Sequence, residues 1–183
     1  MCFMLIQGTF WTFANILSIS RVLFSAAAAV IILRDGPISW SLALLLTAVI
    51  TDWLDGQIAR RTNTVSEWGK ILDPAADKIS AALVGIALVW DDLIPLWFLG
   101  VVLLRDLLIA VGGMAVVRYS GSVQMSNIPG KIAVTAIAIT FFMGLLRADQ
   151  IVMDICIWIT VGLLGFSLVI YSSRLASVHS NPA

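Results

Sequence analysis

Residues 51–78 read TDWLDGQIARRTNTVSEWGKILDPAADK and bring four aspartates together between two apolar stretches. The aspartates are Asp52, Asp55, Asp73 and Asp77. The sequence on both sides of this run is hydrophobic enough to span a bilayer, where a carboxylate is costly unless a cation compensates its charge. The run therefore predicts a metal site embedded in the membrane.

The composition of the chain is typical of a membrane protein. Its 183 residues are 60% hydrophobic and only 12% charged, whereas charged residues make up about 25% of an ordinary soluble domain. The formal net charge is zero. The chain therefore lacks the excess of basic residues that would indicate a nucleic-acid partner. We expect a single membrane domain over residues 1–183 that binds membrane lipids and no nucleic acid.

Six apolar segments are long enough to cross a hydrocarbon core of about 30 Å. Because backbone groups in lipid must find partners within their own segment, such segments predict helices rather than open strands. The sequence therefore predicts an all-α integral membrane protein with six transmembrane helices, at roughly 11–33, 38–59, 71–90, 95–117, 130–147 and 151–173.

The placement of Lys and Arg predicts the orientation of these helices, since positive charge accumulates on the cytoplasmic side. One side of the membrane receives six basic residues, and the other receives only Arg34 and Arg147. The six are Arg60, Arg61, Lys70, Arg118, Lys131 and Arg174. We therefore expect both termini and the aspartates to face the cytoplasm.

The spacing of the aspartates is that of two pairs on two helices. Asp52 and Asp55 are three residues apart at the end of the second predicted helix, and Asp73 and Asp77 are four apart at the start of the third. Each spacing puts a pair on one helical face. Carboxylate oxygens are ligands that suit Mg²⁺ or Mn²⁺. Two such ions could stabilise the attacking and leaving oxygens of a phosphoryl transfer.

The same run resembles a family signature. Asp52-x2-Asp55-Gly56-x2-Ala59-Arg60-x8-Gly69-x3-Asp73-x3-Asp77 is similar to the motif of the CDP-alcohol phosphotransferase (CDP-alcohol phosphatidyltransferase) family at all eight fixed positions. Members of that family transfer a substituted phosphate from a CDP-linked donor to an alcohol and release CMP. The resemblance implies an enzyme that uses CDP-diacylglycerol, forms a homodimer and lies in a bacterial inner membrane.

The resemblance also implies roles for individual residues. The four aspartates would hold two divalent cations, Mg²⁺ or Mn²⁺, and Asp77 would also act as the base that takes the proton of the acceptor hydroxyl. The CDP-donor site would be formed by Gly56, Ala59, Arg60, Gly69 and Asn15.

The acceptor is suggested by polar residues outside the motif. The run from Asn15 to Arg21 resembles the opening of bacterial phosphatidylglycerophosphate synthases, and Arg105-Asp106 and Gly130-Lys131 resemble later parts of those enzymes. An excess of positive charge would suit a phosphorylated acceptor, and glycerol 3-phosphate is the first expectation. The residues expected to bind the acceptor are Arg105, Arg118, Lys131 and Arg21.

Other acceptors and another class of protein stay open. Asp92-Leu93-Ile94-Pro95 and the stretch 104–110 are similar to eukaryotic-type cardiolipin synthases, which use phosphatidylglycerol as acceptor. An inositol phosphate is a third candidate. A non-catalytic membrane protein or an ion-coupled transporter is the alternative from a different class, although transporters often carry inverted repeats and none is visible here.

Three cations lie inside predicted spans, namely Arg21, Lys78 and Arg105. Charged residues in such places usually face a polar cavity or a partner. Lys78 follows Asp77, and Arg105 precedes Asp106. Local neutralisation by these neighbours is therefore the alternative to substrate binding.

Overall fold

The computed structural model describes residues 13–62, 69–120 and 128–180, with the side chains of 15–51, 72, 74–112 and 128–173. These parts of the chain form six α-helices. All six predicted segments are helical over the described residues, so the prediction of an all-α protein is confirmed. The helices are α1 (Phe13–Leu33), α2 (Ile38–Thr62), α3 (Gly69–Trp90), α4 (Leu96–Ser120), α5 (Ile128–Leu145) and α6 (Gln150–Ser180).

Several helices extend past the ends that hydropathy predicted. Helix α2 continues to Thr62 and so includes Arg60 and Arg61, which were expected in a connection. Helix α5 begins at Ile128, and Pro129 lies in its first turn, where a missing N–H breaks no helical hydrogen bond. Apolar composition predicts where a span ends, but a helix continues through polar residues of good helix propensity such as Arg.

The chain divides into two compact units, Met1–Asp91 and Asp92–Ala183. In the first unit α1 packs against both α2 and α3, and in the second α6 packs against both α4 and α5. Each unit therefore has one central helix with a neighbour on either side. The single domain expected over residues 1–183 is not tested by this division and stays a prediction.

The described helices bury polar side chains and expose large apolar ones. Leu23, Val49 and Ile151 are exposed, whereas Thr140 and Thr160 are buried. This distribution is the one expected when the surrounding solvent is lipid, because apolar exteriors cost nothing there and polar groups must pair inside. Within the described residues, three helical stretches are long and apolar enough to cross a membrane: Asn15–Leu33, Ile128–Leu145 and Gln150–Ser173.

Helix α1 ends in a turn that satisfies its last carbonyl groups. Asp35 adopts a left-handed conformation with φ 50°. The N–H of Gly36 donates to the carbonyl of Ile31 at 2.9 Å, and the N–H of Asp35 donates to that of Ile32 at 3.1 Å. This pair of bonds is the Schellman motif. A Cβ at Gly36 would lie 2.7 Å from Cγ2 of Ile31, so only glycine fits there without a shift.

Two buried threonines join α5 to α6. The hydroxyl oxygens of Thr140 and Thr160 lie 2.9 Å apart. Both also lie close to the carbonyl oxygen of Ala136, at 2.9 and 3.3 Å respectively. Since lipid offers no competing hydrogen bonds, this contact between helices contributes to the stability of the second unit.

We expect Thr140→Val and Thr160→Val to lower the free energy of unfolding non-additively, so that the double variant loses less stability than the two single variants added. Valine keeps the shape of threonine and removes the hydroxyl, so each variant breaks the same bond between the two helices. A double-mutant cycle on unfolding in detergent should give a coupling of about 0.6 kcal/mol, the average for such bonds in membranes. Thr135→Val is the control, because the Thr135 hydroxyl is exposed and donates within its own helix to Lys131. Purely additive effects of the two variants would contradict the role of the pair.

Candidate functional site

One face of α1 is buried and carries polar side chains through the first half of the helix. Its buried residues recur every three or four positions, which is the repeat of a single helical face. The polar ones are Asn15, Ser18, Arg21 and Ser25, and apolar residues continue the face from Ala28 onwards. Asn15 and Arg21 were predicted as site residues, but the two serines were not. Their regular spacing within an apolar helix was the signal that could have identified them.

Arg21 forms an ion pair with Asp77 that links α1 to α3. Nη1 of Arg21 donates to Oδ1 of Asp77. The side chain of Arg21 is 7% exposed, whereas that of Asp77 is 59% exposed. A guanidinium buried beside lipid needs a negative partner, so this contact fixes the arginine and at the same time orients the carboxylate predicted to act as the base. The sequence had predicted acceptor binding for Arg21, and that role stays a prediction.

The helix register agrees with the predicted pairing of the aspartates. Helix α2 contains Asp52 and Asp55, and α3 contains Asp73 and Asp77, with Pro74 between the latter two. Pro74 lies inside the helix and supplies no N–H to it. The side chains of Asp52, Asp55 and Asp73 lie outside the described residues. The backbone therefore supports two i,i+3 or i,i+4 pairs, while only one of the four carboxylates is described.

The fit of a divalent cation can be checked at Asp77 alone. Its exposed carboxylate is a hard oxygen ligand of the type that Mg²⁺ and Mn²⁺ prefer. Among the side chains that the structure describes, no three or more His, Cys, Asp or Glu residues are grouped to hold a metal. Of the four predicted ligands only Asp77 has a described side chain, and the two-metal site stays a prediction.

Five other predicted site residues also fall outside the described side chains. They are Gly56, Ala59, Arg60, Gly69 and Arg118. Their backbones belong to α2, α3 and α4, and their predicted contacts with a CDP donor or an acceptor stay predictions.

Arg105 is buried in the second unit between α4 and α6. Its Nη1 donates to Oδ1 of Asp106 at 2.8 Å, which is the local neutralisation considered above as the alternative to substrate binding. The predicted acceptor binding by Arg105 stays a prediction. Its Nη2 donates to Oγ of Ser167 at 3.1 Å. Ser167 was not predicted as a site residue, because it is 62 residues away in sequence and no local pattern connects the two.

The contact between Arg105 and Ser167 is one of three that hold α4 beside α6. The hydroxyl of Tyr171 donates to the carbonyl of Ile109 at 3.2 Å, across the same separation of 62 residues. Near the start of α4, the rings of Trp97 and Trp158 lie 5.8 Å apart. In all three contacts the α6 residue lies 61 or 62 positions after its α4 partner, so residue numbers rise in the same direction along both helices. The two helices therefore run parallel, and these contacts fix their register around Arg105.

The first turn of α5 approaches Arg105 with its backbone. A Cβ at Gly130 would lie 3.7 Å from Nη2 of Arg105 and 3.9 Å from Oγ of Ser167. The neighbouring Lys131 is exposed. Gly130 therefore leaves space beside the guanidinium. The resemblance at Gly130-Lys131 did not predict that this glycine lies next to Arg105.

Curated proteins with similar sequences are phospholipid-synthesising enzymes. The chain is 41% identical over 109 residues to a probable cardiolipin synthase (CMP-forming) of Drosophila melanogaster, which is 59% of this chain and 33% of that protein. It is 35% identical over 127 residues to a cardiolipin synthase (CMP-forming) of Streptomyces coelicolor, covering 67% of this chain and 59% of that protein. It is 42% identical over 90 residues to a CDP-diacylglycerol–glycerol-3-phosphate 3-phosphatidyltransferase of Bacillus subtilis, covering 49% and 46%.

The matched stretches thus span between a third and three fifths of these relatives. A sequence model of one family covers most of the chain, from residue 11 to residue 166. That range contains the aspartate run, the α1 face with Arg21, and Arg105. Enzymes of this family generally depend on divalent cations. The resemblance inferred from the aspartate run is confirmed, and the chain belongs to the CDP-alcohol phosphatidyltransferase family.

Proposed function

We propose that this chain transfers the phosphatidyl group of CDP-diacylglycerol to the free hydroxyl of a glycerol-phosphate group and releases CMP. The observation that carries the proposal is the aspartate run of α2 and α3, at the spacing of the family signature and inside the matched range 11–166. The names of the relatives support the same donor and leaving group.

The proposed setting is a bilayer crossed by all six helices. The exposed apolar side chains and three long apolar stretches support a membrane location, and the Lys and Arg distribution supports cytoplasmic termini and a cytoplasmic active site. We further propose one catalytic domain over residues 1–183, a bacterial inner membrane as its location, and a homodimer as its assembly.

In the proposed site the four aspartates hold two divalent cations, Mg²⁺ or Mn²⁺, which would neutralise the donor diphosphate as charge develops on it. The aspartates are Asp52, Asp55, Asp73 and Asp77. The CDP portion of the donor would be bound by Gly56, Ala59, Arg60, Gly69 and Asn15. Small side chains permit close approach of the nucleotide, and the fork of Arg60 suits a phosphate.

Asp77 is the proposed base. Its carboxylate takes the proton of the acceptor hydroxyl as that oxygen forms a bond to the phosphorus of the diacylglycerol phosphate. The bond from the same phosphorus to the bridging oxygen breaks, and CMP leaves with that oxygen and its electron pair. Arg21 supports this step by holding Oδ1 of Asp77, so that the carboxylate is oriented before the acceptor arrives.

Phosphatidylglycerol is the acceptor that we place first, which would make cardiolipin the product. Two of the three relatives described above are named cardiolipin synthases, and they align over longer stretches than the third. The charge of Arg105 is already shared with Asp106 at 2.8 Å. A cation balanced in this way suits a phosphodiester with one negative charge better than a phosphomonoester with two.

Glycerol 3-phosphate, the first expectation from sequence, becomes the second candidate. The 42% identity to the Bacillus subtilis enzyme favours it. A doubly charged phosphomonoester would need further positive charge, which Lys131 and Arg118 could supply from the cytoplasmic side. The two acceptors share a glycerol with a free hydroxyl at one end and a phosphate at the other, so one site chemistry serves both.

The test of the proposal is CMP release by the purified protein in detergent with CDP-diacylglycerol and Mg²⁺. Parallel reactions receive phosphatidylglycerol, glycerol 3-phosphate, serine or an inositol phosphate. We expect release with phosphatidylglycerol, and release with glycerol 3-phosphate alone would move the assignment to the second candidate.

Two Asp-to-Asn variants accompany this assay, one at the proposed base and one as a matched control. Asp77→Asn should lower the rate by about a hundredfold or more, the usual range for loss of a general base. Asp154→Asn, on an exposed position of α6, should leave the rate unchanged. Silence with every acceptor, or full activity in Asp77→Asn, would refute the enzymatic assignment and favour a non-catalytic protein or a transporter.

An Arg21→Gln variant separates the two roles considered for this arginine. Because Arg21 contacts Asp77, we expect kcat to fall about tenfold, equivalent to about 1.4 kcal/mol of transition-state stabilisation, with little change in the KM of the acceptor. Arg21→Lys should keep part of the activity by retaining the charge. A raised acceptor KM with unchanged kcat would instead assign Arg21 to acceptor binding.

A further inference from the structure

A buried polar cluster in the second unit brings together residues from three helices. Arg105 of α4 is 5% exposed, and Ser167 of α6 is buried to the same extent. Their hydrogen bond joins the two helices, and Gly130 in the first turn of α5 faces it. Asp106, whose side chain is 25% exposed, completes the cluster.

The cluster retains donors that the described residues do not use. Nε of Arg105 is buried and has no hydrogen-bond partner among the described residues. The Ser167 hydroxyl accepts a bond from Arg105, so its own proton is available to another acceptor. Buried N–H and O–H groups left without acceptors are costly, and an oxygen-rich anion would satisfy both.

Gly130 leaves the space beside these donors. A Cβ at this position would make ordinary contacts with Nη2 of Arg105 and Oγ of Ser167, at 3.7 and 3.9 Å, and these are its only contacts within 4 Å to the described residues beyond its chain neighbours and its own helix backbone. An alanine would therefore fit without strain, but its methyl group would occupy volume next to the guanidinium.

We propose that Ser167 is a positioning residue for acceptor recognition. It holds the guanidinium of Arg105 beside the open backbone of Gly130, where the guanidinium and the serine hydroxyl bind the phosphate of the acceptor's glycerol-phosphate group. This inference rests on the proposed function and adds to it a residue in α6 that positions Arg105 and donates to the same phosphate. A guanidinium fixed in advance loses less side-chain entropy on binding, so acceptor affinity depends on the serine.

Steady-state CMP release tests the role of Ser167 with the acceptor that the wild type uses. For Ser167→Ala we expect about a tenfold rise in the acceptor KM, with kcat and the KM of CDP-diacylglycerol changed by less than about twofold. Ser167→Thr keeps the hydroxyl and should restore the acceptor KM. Ser172→Ala is the matched control, since Ser172 is exposed and its hydroxyl bonds within α6 to Val169.

Gly130→Ala is a second variant that does not disturb the hydrogen bond. Its methyl group should raise the acceptor KM while the unfolding temperature stays at the wild-type value. Gly162→Ala serves as its control, because a Cβ there meets no atom of another described element within 4 Å. An unchanged acceptor KM in both Ser167→Ala and Gly130→Ala would overturn the proposal. A Ser167→Ala variant that lost both kcat and stability, with its acceptor KM unchanged, would also overturn it, because that result indicates a purely structural role.

Binding of inorganic phosphate provides a readout that does not depend on turnover. We expect phosphate to raise the unfolding temperature of the wild type in detergent and to do so less in Ser167→Ala. If the wild type released no CMP with any acceptor, the proposed function would fail, and the phosphate effect would still decide the role of Ser167. A phosphate effect equal in wild type and Ser167→Ala would then overturn the inference.

Discussion

Charge buried beside lipid must be compensated within the protein, and this constraint organises both units. In the first unit Arg21 is buried on the polar face of α1 and pairs with Asp77 of α3. In the second unit Arg105 is buried between α4 and α6 and is held by Asp106 and Ser167. Each unit thus buries a cation that joins two of its helices, since an uncompensated guanidinium in such a place would be strongly destabilising.

The same compensation connects the fold to the proposed chemistry. The partner of Arg21 is the carboxylate proposed as base, and Nε of Arg105 has no partner among the described residues and is available to the proposed anion. Groups that are oriented before substrate binds contribute to catalysis without a further entropic cost at the moment of reaction. Within each unit, one buried arginine therefore both joins two helices and holds a group of the proposed function.

The sequence predicted the number and positions of the helices, because long apolar segments leave few alternatives in a bilayer. It predicted the ends less well: α2 continues through Arg60 and Arg61 to Thr62, since polarity alone does not stop a helix. The neutralisation of Arg105 by Asp106 could be predicted from adjacency. The contacts of Arg21 with Asp77 and of Arg105 with Ser167 could not, because they join residues 56 and 62 positions apart and depend on how helices pack.

The proposed function depends on a two-metal site formed by the aspartates of α2 and α3. Its most direct test is the number of Mn²⁺ ions bound per chain, measured by titration of the detergent-purified protein in the presence of CDP-diacylglycerol. We expect saturation at two Mn²⁺ per chain in the wild type and a clear loss of binding in Asp52→Asn, with the fold intact by circular dichroism. Mn²⁺ binding that is absent from the wild type, or unaffected by Asp52→Asn, would contradict the proposed two-metal site.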